Sequence, residues 1–97
     1  MNIVELHTAI RQERRWIKFA EKLQKEMTEE YKLDGITVVL RELTADEAAV
    51  EGRESLTFNQ TSQQFEFALA ASEDLPAPWK IADRIGGFLN PDPDETD

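Results

Sequence analysis

The sequence predicts an α+β domain with the element order α-β-β-β-α: a long N-terminal helix, a three-stranded antiparallel sheet, a short C-terminal helix and an acidic disordered tail. Three observations carry this reading. Apolar residues recur at helical spacing through the first third of the chain, they alternate with polar ones in three segments between Ile36 and Ala70, and a stiff Pro76-Ala77-Pro78 connector precedes a second helically spaced segment. A chain of 97 residues has room for one core, so residues 1–90 are read as a single domain and 91–97 as the tail.

The first helix is expected from Ile3 to about Leu33. Leu6, Ala9, Ile10, Trp16, Ile17, Ala20, Leu23, Met27 and Tyr31 fall within an arc of roughly 140° at 100° per residue, wide enough to face a core. Asn2 followed by Glu5 resembles a capping box, and Asp34-Gly35 supplies a stop. On the opposite side Arg11, Arg14, Arg15, Lys18 and Lys22 form a basic ridge, with three like-charge pairs at i,i+4 that cost a few tenths of a kcal/mol each in an isolated helix. Glu13 breaks the pattern, because its angle lies inside the apolar arc. It is expected to reach the rim, to meet a base such as Arg41, or to mark a contact in a helix-mediated dimer.

Ile36 to Leu43 reads as the first strand. Thr44 with Glu47 is a second capping-box pattern and opens a short helical turn, Ala45 to Glu51, ended by Gly52. Arg53 to Asn59 and Gln64 to Ala70 form a hairpin in which Leu56, Phe58, Phe65, Phe67 and Leu69 alternate with polar residues. Its loop, Gln60 to Gln63, contains no glycine to impose a tight two-residue turn. The last helix is expected from about Trp79 to Ile85, stopped by Gly86-Gly87, with Phe88 and Leu89 either tucked onto the core or presented to another chain. Each amphipathic element then buries one side when both helices pack on one face of the sheet.

Charge divides the chain. Through Leu33 seven Lys/Arg face six Glu, a net of +1; from Asp34 onward the net is −10. Such an excess of negative charge opposes non-specific binding to nucleic acid, and suits a target with a basic surface. There is no cysteine, so thiolate chemistry and disulfides are excluded and a cytoplasmic setting is expected. No signal peptide is recognised at the N-terminus, and the apolar runs are too short to span a membrane.

No catalytic constellation assembles from these residues. His7 is the sole histidine and falls on the polar side of the first helix. There is no phosphate-cradling glycine loop and no metal-ligand spacing, so neither enzyme activity, cofactor nor metal is expected. The function that fits is a small non-catalytic protein-binding or regulatory protein, an inhibitor or adaptor. It would dock on a basic protein surface through Asp46, Glu47, Glu51, Glu73 and Asp74. Small inhibitors encoded by mobile elements often share this composition. Two alternatives remain: a nucleic-acid accessory protein using the basic ridge, and a homodimer or assembly subunit with Glu13, Trp79, Phe88 and Leu89 at its interface.

Overall fold

The computed structural model describes residues 1–71 and 73–89 of the chain. It is an α+β fold with a four-stranded mixed sheet and three helices: β1 (Ile3–Leu6), α1 (Arg14–Lys25), β2 (Thr37–Leu43), α2 (Ala45–Glu51), β3 (Glu54–Asn59), β4 (Gln64–Ala70) and α3 (Pro78–Leu89). A 3-10 turn at Thr8–Ile10 precedes α1, and a π-helical turn at Glu26–Glu30 extends it. Strand order is β1-β2-β4-β3, with β1 and β4 parallel to β2 and β3 antiparallel to β4.

The sequence expectation is corrected in three places. First, the N-terminal segment is a strand, a turn and a shorter helix rather than one helix from Ile3 to Leu33. Leu6 and Ile10 stand four residues apart, a spacing that suits helical periodicity but is also compatible with strand alternation. β-branched Ile3 and Val4 favour the strand, and pairing with β2 in the register Ile3↔Thr37 to Leu6↔Leu40 fixes it. Asn2 is accordingly not a helix cap. It is buried, donates through Nδ2 to Thr28 Oγ1 at 3.0 Å and to the Leu33 carbonyl at 2.8 Å, and accepts from the Ile36 N–H at 3.1 Å. One amide side chain thus ties the start of β1 to the exit of the first helical segment. That exit is made by Lys32, whose φ of 53° is left-handed, three residues before Gly35 at φ 75°.

Second, the sheet is mixed, not a three-stranded antiparallel meander. The chain leaves β2, crosses beyond β4 and returns as the outer strand β3, so β2 pairs with β4 and never with β3. The β3–β4 hairpin itself is as expected, with Leu56 opposite Phe67 and Phe58 opposite Phe65. Its four-residue loop closes without glycine: Asn59 Oδ1 accepts from the N–H groups of Thr61 and Ser62 at 2.9 and 3.1 Å, and Gln63 takes the positive φ.

Third, α3 runs through Gly86 and Gly87 to Leu89. Two glycines cost a helix about 1 kcal/mol each, but packing outweighs them. Ile81, Ala82 and Ile85 are buried in the core, and the Phe88 ring lies 5.2 Å from that of Phe58 and 5.7 Å from that of Phe65 between centroids.

The core lies on one face of the sheet. Val38, Leu40, Phe65, Phe67 and Leu69 point up from β2 and β4 against Trp16, Phe19, Ala20, Leu23 and Met27 from the first helical segment and Ile81, Ala82 and Ile85 from α3. Phe19 was missing from the expected stripe, and Ala9 is exposed. Leu43 and Ala68 are buried outside this cluster. By strand alternation they belong to the second face, together with Arg41 and Glu66. The expected tail, residues 91–97, lies outside the described residues.

Candidate functional site

Arg41 gathers two carboxylates into one polar assembly. Its β2 position points to the second face of the sheet. There its Nε donates to Glu66 Oε1 at 2.9 Å, while Nη1 and Nη2 fork onto the two oxygens of Glu47 at 2.8 and 2.7 Å. Glu47 also closes the capping box of α2, accepting from the Thr44 N–H while the Glu47 N–H donates to Thr44 Oγ1. The guanidinium and the Thr44 amide hold the Glu47 carboxyl down at a pKa of about 2, and the two carboxylates raise Arg41 further above its ordinary value.

The helix that this assembly fixes buries none of its seven residues. Asp46, Val50 and Glu51 are exposed along it, Val50 at 84%. Gly52, at φ 84°, ends it in a conformation that strains other residues. Of the five acidic residues expected to form a docking surface, Asp46, Glu51 and Asp74 are exposed and form no ion pair among the described residues. Glu47 is consumed by the clamp on Arg41, and half-buried Glu73 lies 3.7 Å from Arg53. Its carbonyl also accepts from Arg15.

The structure divides the basic ridge. Arg14, Lys18 and Lys22 share one exposed row of α1 and make no ion pair among the described residues. Arg15 turns away toward the end of the sheet, 3.6 Å from Glu42, and donates to the carbonyls of Ala71 and Glu73 at 3.5 and 3.3 Å. Arg11 precedes the helix and lines a groove beside β1. Glu13 sits at the N-cap of α1 without a capping hydrogen bond, half-exposed and 3.9 Å from Arg15. It does not meet Arg41, whose carboxylate partners are Glu47 and Glu66. His7 is exposed, and its Nδ1 accepts from the Ala9 N–H at 3.4 Å in the turn before α1.

The expected interface residues of α3 are all exposed: Trp79 at 51%, Phe88 at 57% and Leu89 at 36%. Phe88 packs one side of its ring on Phe58 and Phe65, as the first of the two sequence alternatives has it, and leaves the rest in solvent. A second feature, a groove of mixed character, had no sequence signal, because it depends on β1 being a strand. Val4, Leu6, Ile17 and Ala20 line an open groove of about 520 Å³ between β1 and α1, rimmed by Glu5, Arg11, Glu21 and Gln24.

Among the described residues no group of three or more His, Asp or Glu side chains is placed to hold a metal ion, and no helix is long and apolar enough to cross a membrane. No protein-family model, curated protein or solved structure matches the chain.

Proposed function

We propose that this chain is a non-catalytic protein-binding or regulatory protein, an inhibitor or adaptor that docks on a basic protein surface through Asp46, Glu51 and Asp74. The observation that carries the reading is α2: a helix with no fully buried residue, yet held by a reciprocal cap and a two-pronged arginine clamp. Fixing the backbone that carries Asp46 and Glu51 lowers the entropy lost when they meet a partner, and this favours docking over mere solubility. The sequence beyond Leu89 adds four more acidic residues, which strengthens long-range attraction to a basic partner.

The test compares the full chain with an Asp46→Lys, Glu51→Lys, Asp74→Lys variant whose circular dichroism is unchanged. Basic proteins captured from host extract by the parent chain at low salt should be lost at high salt and lost with the variant. If the variant captures the same proteins, the acidic surface is not the docking site.

A second reading, attachment to nucleic acid, rests on the exposed row Arg14, Lys18 and Lys22. Without Arg15 in that row, and against a net charge of −9, it is the weaker of the two. Absence of binding to duplex or single strands at low salt would remove it.

A further inference from the structure

The free edge of β1 joins an open groove, apolar at its floor and charged at its rim, to a line of unpaired backbone groups. In the parallel ladder with β2 the N–H of Ile3 donates to the Ile36 carbonyl at 2.8 Å and that of His7 to the Leu40 carbonyl at 2.9 Å. Alternation then turns the N–H and C=O groups of Val4 and Leu6 outward, away from β2. Beside them lies the groove lined by Val4, Leu6, Ile17 and Ala20. An exposed strand edge with an apolar floor next to it is the geometry on which another extended strand can be added.

The charges at the ends of this groove point to the occupant. Asn2, just before β1, is bonded to Thr28 and Leu33 at the exit of the helical segment, so α1 runs back antiparallel to β1. Arg11 therefore marks the Leu6 end of the groove, and Glu21 with Gln24 marks the Val4 end. Arg11 and Glu21 form no ion pair with each other or with any other described residue. A two-fold axis perpendicular to β1 reverses one groove against the other and brings each Arg11 opposite the Glu21 of the second chain.

We propose that the β1 edge and its groove are a self-association site, in which β1 pairs antiparallel with β1 of a second copy. The two four-stranded sheets become one sheet of eight strands. Val4 of each chain stands opposite Leu6 of the other, so that their outward backbone groups are mutually satisfied. The two exposed Glu5 side chains face each other near the axis, and this like-charge pair keeps the association reversible. The interface is separate from the acidic surface of α2, whose main contacts are with β2 and β3, so either assignment can fail without the other.

Sedimentation of the full chain over a dilution series tests the pairing. The parent chain is expected to pass from dimer to monomer on dilution. Arg11→Glu and Glu21→Arg each turn two attractions into two repulsions and should weaken the dimer by about tenfold or more, with circular dichroism unchanged because both positions are exposed. The decisive samples are the R11E/E21R double variant and an equimolar mixture of the two single variants. Both restore opposite charges across the axis, and both should recover the dimer. A parent chain that is monomeric at every concentration overturns the proposal, as do single variants that dimerise like the parent. A dimer abolished by Phe88→Ser but untouched by Arg11→Glu would place the interface on α3 and equally overturn it.

Discussion

Helices α1 and α2 are held in place by opposite means. The first buries Trp16, Phe19, Ala20 and Leu23 on one side, and burial of such side chains contributes on the order of 1.5–3 kcal/mol for each large one. The second buries no residue and is fixed by Thr44, Glu47 and Arg41, a cap and a charge-assisted fork. The contrast teaches that periodicity announces what a helix hides, whereas capping chemistry announces a helix that forms without hiding a face. It also separates the forces: α1 depends on water exclusion, α2 on protonation.

That contrast can be broken from either side. The largest effect is expected from Trp16→Ala, which empties the centre of the core and should cost about 3–5 kcal/mol, read as a lowered urea midpoint for the whole domain. Thr44→Ala removes the hydroxyl that caps α2 and should cost about 1 kcal/mol, with amide exchange accelerated in α2 and unchanged in α1. The smallest and most local effect is acid titration. Glu47 ionises at lower pH folded than unfolded, so between its ordinary 4.5 and about 2 the unfolded chain binds more protons. The stabilisation it provides is intact above that window and fades as the pH falls through it. Amide protection in α2 should decline over this range while α1 remains protected, and Glu47→Gln should abolish the pH dependence. A simultaneous loss of both helices would show that they are not independently held.

What was legible in the sequence follows the same division. The Thr44–Glu47 box, the β3–β4 hairpin and the apolar side of the first helical segment from Trp16 to Met27 are local patterns, and the structure has them where the spacing puts them. The N-terminal strand was hidden because Leu6 and Ile10 fit two periods at once. Only the distant partner Ile36–Leu40 decides between those periods, and local spacing cannot see it. Parallel pairing of β2 with β4 over the register Thr37↔Gln64 is equally non-local. For the exposed charges, helical angle placed Arg14, Lys18 and Lys22 correctly. It failed for Arg11, which precedes the helix, and it could not show that exposed Arg15 donates to the carbonyls of Ala71 and Glu73. The groove beside β1 could not be foreseen at all, since it exists only once β1 is an edge strand.

The two tryptophans occupy opposite environments, and this equips the molecule with its own optical gauges. Trp16 is fully enclosed, its indole N–H without a partner among the described residues, whereas half of Trp79 is bathed in solvent with the Lys80 ammonium 5.9 Å from its ring centroid. Polar surroundings relax around an excited indole and move its emission to longer wavelength. Light from Trp16 should therefore be blue and closed to a dissolved quencher, and light from Trp79 red and open to it. A Trp79→Phe chain would report only the integrity of the core, and a Trp16→Phe chain only what covers α3. Opening of the core and changes in the surroundings of α3 could then be followed separately in one cuvette, without attaching a dye.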